Sequence, residues 1–489
     1  MKPCPPKRAN TRLLLVLGLF LALFNGTSTE AQQQLQHGQE VAQKRSAPAR
    51  PQATAEADLA KRLGELEEEI AILRDSTVDN PLALQKNINT VWLIVAAALV
   101  FFMQAGFAML EIGFSRAKNT INIVMKNLMD FSVASICYLF FGFAIMFGAS
   151  ESGWFGSSFS ALWNVSADSA LWPFWMFQVV FAATAATIAS GAMAERTKFI
   201  GYLFYTVLLS GLIYPIYGHW AWGGAASGLE PGFGESVGWL ARLGFHDFAG
   251  STVVHGIGGA AALAGIIVLG PRIDKFTKDG QAKLIPGHNI PLAALGTLIL
   301  WFGWFGFNAG STFQGDASLG RICATTIISA STASVVGMFL FWAVQGSPNV
   351  AIAMYGALGG LVAITAGADV ITPFAAVAVG AVAGCLSTLG AMFLDRLRID
   401  DVVGAVPVHL FNGIWGTVCV ALFSDSAKLG TQLLGTVSIC GSAFLIALIV
   451  FKLIDMTVGL RASDEDQEDG LDFSEHSANA YPDFKTTER

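Results

Sequence analysis

Val254-His255-Gly256-Ile257-Gly258-Gly259 and Val408-His409-Leu410-Phe411-Asn412-Gly413 share the pattern V-H-x-x-x-G, and each lies inside a long apolar stretch. The histidine is the informative residue. An ionisable side chain within hydrocarbon is costly, so it is expected to face a cavity or a partner. Working outward, apolar stretches run at approximately 90–112, 128–149, 172–194, 199–219, 249–270, 290–310, 323–344, 349–367, 371–394, 403–423 and 431–455. Each has about the length a helix needs to cross a hydrocarbon core. The two motifs fall in the fifth and tenth stretches. The copies are five positions apart in the helix order, so the second copy enters the membrane inverted. The expected fold is an all-α membrane protein: two inverted five-helix repeats plus an eleventh helix, with the working site at the repeat interface near the midplane. Symmetry favours a facing pair, His255 with His409. Two unrelated histidines, each bonded to a backbone carbonyl, are the alternative.

Composition agrees. Hydrophobic residues make up 53% of the 489 and charged residues only 13%, with a mean hydropathy of +0.55. Soluble domains carry about 25% charged residues, so lipid must cover much of this chain. Lys and Arg number 29 against 36 Asp and Glu, a net charge of −7. No large basic patch offers a nucleic-acid surface. Six cysteines contain no C-x-x-C, and a zinc site or disulfide framework is not expected. Neither nucleophile nor metal constellation accompanies the histidines, so no enzyme and no cofactor is inferred.

Loop charge sets orientation. Arg116, Lys118, Lys126, Arg196, Lys198, Arg272, Lys275, Lys278, Lys283, Arg396 and Arg398 belong to one set of loops; Arg242 and Lys428 belong to the other, with Arg321 at a boundary. The cation-rich set is expected in the cytoplasm, placing the N-terminus outside and the C-terminus inside. Residues 1–31 have the anatomy of a signal peptide, with an uncleaved anchor as the alternative. Residues 32–80 read as an extracytoplasmic linker. Within it Leu59, Leu63, Leu66, Ile70 and Leu73 form a short heptad stripe over 59–73, suited either to self-association or to lying on a surface. The membrane domain spans 88–455. The acidic tail, 456–489, has the look of a solvated segment. Asp247, just before the fifth stretch, is placed as a helix N-cap facing water, with Ser251 and Thr252 able to bond the first turn; a buried carboxylate that tunes a cation site is the alternative.

Several longer motifs resemble one family. Gly106-Phe107-Ala108-Met109-Leu110-Glu111 with Arg116-Ala117-Lys118-Asn119 resembles the first helix of ammonium transporters. Asp247 to His255, Trp301 to Ser311 and Gly356 to Gly367 are similar to later segments of that family, and Gly470 to Phe484 is similar to its tail. The resemblance covers about 88–484. It implies a homotrimer with one pore per subunit. It implies an outer substrate-binding site at Phe177, Phe181, Trp222 and Ser311, and a pore gate of stacked rings at Phe181 and Phe307. It further implies pore histidines at His255 and His409, an essential acid at Asp247, and a cytoplasmic PII-type partner. Ser477 departs from the family's tail, which usually has glycine there, and Ser474 matches a position phosphorylated in some relatives.

These residue types suit ammonium. An aromatic face attracts a small cation, and the Ser311 hydroxyl can accept one N–H. Carrying the intact ion through an apolar conduit incurs a large desolvation cost, whereas neutral ammonia passes cheaply. The expected activity is therefore recruitment of NH4+, loss of its proton, and conduction of NH3 past two neutral imidazoles. An ammonium sensor signalling through its tail is the alternative, and would be expected to carry a fused signalling domain; about 34 residues follow the last stretch. A Rh-like gas channel is a third reading, and the family resemblance disfavours it because such channels lack the Trp and Ser of the outer site.

Overall fold

The computed structural model describes residues 59–68, 81–159 and 161–482. The expected signal peptide, most of the expected 32–80 linker and the C-terminal part of the 59–73 stripe lie outside them. The chain divides into two compact units: residues 1–88 with 343–347, and residues 89–342 with 348–489. In the first, residues 59–68 are helical, as the leucine spacing predicts, with Lys61 and Glu65 paired at 3.7 Å. Leu59, Leu63 and Leu66 are exposed.

Among its described residues the second unit is built of helices and connecting loops, with no strand beyond isolated β-bridges. Among the described residues, ten helices are long and apolar enough to cross a membrane: α1 Pro81–Phe114, α2 Ala117–Phe147, α3 Leu171–Ala192, α4 Phe199–Trp222, α5 Ser251–Leu269, α6 Ile290–Gly310, α7 Ser318–Gln345, α9 Pro373–Arg396, α10 Val406–Phe423 and α11 Leu429–Thr457. Between α7 and α9 lies the shorter apolar helix α8, Val350–Thr365. Each sequence-derived stretch thus overlaps one helix. The most apolar window of α5 is 83% buried, whereas that of α7 is 22% buried. The difference places α5 at the centre and leaves α7 for the perimeter.

The glycines of V-H-x-x-x-G explain how α5 and α10 meet. A Cβ on Gly259 would lie 2.5 Å from the Leu410 backbone nitrogen, and one on Gly413 would lie 2.4 Å from the Ser251 carbonyl oxygen. Neither neighbour is a flexible side-chain end. Gly259→Ala is expected to force the helices apart at a cost of about 1–3 kcal/mol, read as a lower Tm for the detergent-purified protein.

Both helices open with a wide π-type turn, Ser251–Gly256 in α5 and Val406–Phe411 in α10, and each turn carries its histidine. A carboxylate holds each turn. Asp247 accepts from the backbone N–H groups of Gly250, Thr252 and Val253 at 3.0, 2.9 and 2.8 Å. Asp401 accepts from Ala405 and Val406 at 3.0 and 2.8 Å. Asp247 is thus a buried cap. The Ser251 and Thr252 hydroxyls do not bond the first turn as expected. Ser251 Oγ donates to the Val362 carbonyl and accepts from Ala366 N–H, tying α5 to α8, while Thr252 pairs with Thr417 of α10.

Loop charges gather at one end. Glu195 accepts from the Arg116 backbone N–H and Nε at 2.7 and 2.6 Å, and lies 3.4 Å from Arg272. Arg272 forks onto Asp400 through Nε and Nη2 at 2.9 and 3.0 Å. Arg196, fully buried, donates to the carbonyls of Ala192, Ala194, Gly270 and Asp400. Two expectations need correction here. Lys126 is not a loop residue: α2 begins eleven residues earlier than its apolar stretch, and Lys126 is enclosed within it, where it feels Glu111 and Asp130. Nor is the tail merely solvated. Its short helices, α12 Asp464–Asp469 and α13 Leu471–His476, dock on the start of α2 and on α4. Asp472 accepts from Asn122 N–H at 2.9 Å, Asn119 accepts from Leu471 N–H at 3.0 Å, and Glu475 accepts from Phe199 N–H at 3.0 Å. Lys118 donates to the Glu468 carbonyl. Ser477 ends α13 with φ +51°, a left-handed conformation that glycine adopts more readily.

Candidate functional site

The π-type turns aim their imidazoles at one another. His255 Nδ1 and His409 Nδ1 are 3.1 Å apart, with ring planes inclined by 20°. One Nδ1 must donate and the other accept. A neutral imidazole holds one N–H, so the pair presents one Nε2 lone pair and one Nε2–H. Among the described residues His255 Nε2 has no hydrogen-bond partner. Trp304 stacks on His255 at 5.0 Å between centroids, and its indole N–H donates to Thr365 Oγ1 at 2.9 Å, which fixes the ring. The facing pair expected from the motif is therefore present.

Aromatic residues cover one side of the pair. Phe307 lies 5.3 Å from His255, and Phe181 stacks on Phe307 with centroids 4.1 Å apart and planes inclined by 23°. Phe177 and Trp222 lie 4.6 and 6.3 Å from Phe181. Trp222 donates its indole N–H to the Asp247 carbonyl at 2.7 Å, so the residue capping the His255 turn also positions this ring. Ser311 ends α6, its hydroxyl donating to the Phe307 carbonyl at 2.9 Å. Gly310 beside it permits close approach of Phe177: a Cβ there would lie 2.6 Å from that ring. The structure thus gathers Phe177, Phe181, Trp222, Phe307 and Ser311 around one approach to the histidines.

Across the pair lies a cavity large enough for a water-sized molecule, bounded by His409, Phe107, Glu111, Thr187, Leu300 and Val403 among others. Two residues here escaped sequence reasoning. Asp401 precedes His409 by eight residues, as Asp247 precedes His255, and Gly404 and Gly250 follow the two aspartates by three with positive φ. The echo therefore extends to D-x-x-G-x-x-x-V-H-x-x-x-G, and that longer pattern was available to find Asp401. Glu111 was quoted only as part of a motif, although a carboxylate within α1 is itself a signal.

Comparison with known proteins gives a consistent result. The profile of the Ammonium Transporter Family matches residues 91–481. Ammonium transporter Amt2 of Archaeoglobus fulgidus is 43% identical over 426 residues, covering 82% of this chain and 90% of that protein. Ammonium transporter 1 member 1 of Arabidopsis thaliana is 35% identical over 416 residues, covering 78% and 82% of the two chains. Among solved structures, one described as a Sensor Amt Protein matches with a TM-score of 0.76 at 41% identity, covering 81% of this chain and 99% of that one. Mep2 of Candida albicans matches with a TM-score of 0.69 at 27% identity, covering 78% and 87%. With its apolar helices and these transporter relatives, this multi-pass membrane protein belongs to the ammonium transporter family.

Proposed function

We propose that the chain conducts ammonium nitrogen across a membrane by recruiting NH4+ at Phe177, Phe181, Trp222 and Ser311 and passing NH3 along the histidine pair. The observation that carries this reading is the 3.1 Å Nδ1–Nδ1 contact beneath the Phe181–Phe307 stack. A cation is attracted by the Trp222 and phenylalanine faces but meets two rings that offer no charge to replace its water. Shedding a proton removes most of that desolvation cost. Ammonia, with one lone pair and three N–H groups, matches the lone pair and donor that the imidazoles present. Phe181 and Phe307 in contact form the gate, and Asp247 is the structural acid that holds the His255 turn.

The finer architecture belongs to the same reading: eleven spanning helices in two inverted halves, N-terminus outside, tail inside, three subunits, each with its own pore. The domain limits are 1–31, 32–80, 88–455 and 456–489. A PII-type protein is the proposed partner at the end where the tail docks. The sensor reading gains support from the similarity to a protein described as a sensor and from the docked tail; a transport assay separates the two.

The test is methylammonium uptake with simultaneous current in liposomes. His255→Ala is expected to lower uptake at least tenfold, about 1.4 kcal/mol in barrier, and Trp222→Ala to weaken the apparent affinity. Uptake and current unchanged in His255→Ala would remove the pair from the mechanism. A parent protein that binds ammonium without carrying it supports the sensor reading.

A further inference from the structure

Glu111 lines the cavity on the far side of His409 from the stacked phenylalanines. Position along α3 fixes this order. Phe181 contacts the stack, whereas Thr187, about 9 Å further along the helix by its rise, borders the cavity. Phe107, one turn before Glu111 on α1, lies 6.4 Å from the His409 ring. A molecule leaving the imidazoles in this direction therefore meets Glu111 as the carboxylate at the cavity wall.

The surroundings of Glu111 are built to hold a carboxyl group while leaving part of it free. Both of its hydrogen bonds end on Oε2, from Asn127 Nδ2 and Ser190 Oγ, each at 3.0 Å. Gly191 makes room: a Cβ there would lie 3.1 Å from Glu111 Cγ. Lys126 is fully buried and interacts electrostatically with Glu111, and among the described residues its Nζ has no hydrogen-bond partner. Its Nζ lies over the Tyr202 ring, 5.5 Å from the centroid. Asp130, the second carboxylate near Lys126, differs. Its Oδ2 and Oδ1 accept from Tyr202 and Thr206 at 2.9 Å each, and it does not border the cavity. Asp130 is occupied by structure. Glu111 has a free oxygen, a cavity and a buried lysine in electrostatic reach.

We propose that Glu111 is an inner proton-exchange and ammonium-binding site, where ammonia emerging past His409 is converted back to ammonium. This rests on the transport reading above. In the step, the carboxylic O–H bond breaks and its proton forms a fourth N–H bond with the ammonia lone pair. The products are NH4+ and the Glu111 carboxylate. The ion is held by that carboxylate, and Lys126 offsets the negative charge after the ion departs. A hydronium proton from the adjoining water restores the acid, releasing water, so the sum is NH3 and H3O+ giving NH4+ and H2O. Run backwards, the site strips a proton from ammonium entering from this end.

The test is ammonium-driven current and methylammonium uptake in liposomes, across a range of pH, for the parent, Glu111→Gln and Glu111→Asp. Glutamine preserves the shape but can neither give up a carboxylic proton nor balance a cation. Its uptake is expected to fall more than tenfold, with a flattened pH profile. Aspartate keeps the carboxyl and withdraws it from the cavity. It is expected to restore part of the rate with a profile displaced along the pH axis. In the parent, infrared difference spectra should show a carboxylic C=O band that changes on ammonium addition and is missing in Glu111→Gln. A purely structural Glu111 would lower the amount of folded protein without moving the profile of what remains, and that result overturns the proposal. So does an unchanged rate and profile in either variant. If Glu111→Gln does not fold, the profile of Glu111→Asp decides. A parent that carries no ammonium overturns the transport reading itself, and this proposal with it, whereas a transporting parent matched by both variants overturns this proposal alone.

Discussion

Arg272→Ala is expected to destabilise the protein by about 3–5 kcal/mol, the range for removing one partner of a buried ion pair. Arg272 is 4% exposed and satisfies two acids at once, forking onto Asp400 and lying 3.4 Å from Glu195. Alanine leaves both carboxylates enclosed with less counter-charge. The acid response should change as well. Burial alone would raise the Asp400 carboxyl, but Arg196 and Arg272 outweigh it and hold the group well below the usual carboxylate range. A group depressed in the folded state contributes stability above its unfolded value, near pH 4, and loses it as pH falls through the lower folded value. In the parent this contribution is lost progressively as pH falls from the unfolded value toward the lower folded one. In Arg272→Ala the depression shrinks, so less stability is lost and over a narrower range. Thermal unfolding of both proteins in detergent across that range measures the shift, and parallel curves would show that Arg272 does not hold the Asp400 proton off.

Asp247→Ala carries the second large effect. Its carboxylate is the acceptor for three buried N–H groups at the opening of α5. An orphaned buried donor costs about 1–3 kcal/mol, so the turn should lose about 3 kcal/mol or more. It should then relax toward ordinary α-helical spacing and rotate His255 away from His409. The expected outcome is both a lower Tm and uptake near the background of empty liposomes. Asp247→Asn keeps one acceptor oxygen and should fall between the two proteins. Ammonium uptake at the parent rate in Asp247→Ala would show that the π-type turn does not depend on its cap.

The helix pattern was legible because apolar runs of membrane length have few other uses. The repeat was legible because a histidine in such a run is rare enough for two copies at matching positions to carry weight. What the sequence concealed was partnership. Lys126 reads as a loop cation when only its neighbours in sequence are considered; its burial depends on Glu111, fifteen residues earlier on another helix, and on Asp130. The tail reads as a solvated acidic run because its binding groups, Asn119, Asn122 and the start of α4, are over 270 residues away. Ser251 offers a hydroxyl to its own turn by every local rule, yet a carbonyl and an N–H of α8 claim it. Local chemistry fixed the elements and their caps, while pairings across hundreds of residues were set by packing.

Arg196 bears on how the chain is made. Its guanidinium reaches the carbonyls of residues 192, 194 and 270, and finally that of Asp400, 204 residues later in the chain. At a synthesis rate of about 5–20 residues per second, that last acceptor leaves the ribosome roughly 10–40 s after the arginine does. Throughout that interval the nascent chain carries a guanidinium that has its Ala192 and Ala194 carbonyls but still lacks that of Asp400. The Arg196–Asp400 contact therefore forms only after α9 has been made, and a chain truncated before residue 400 should lack this tie and be more exposed to quality-control proteases.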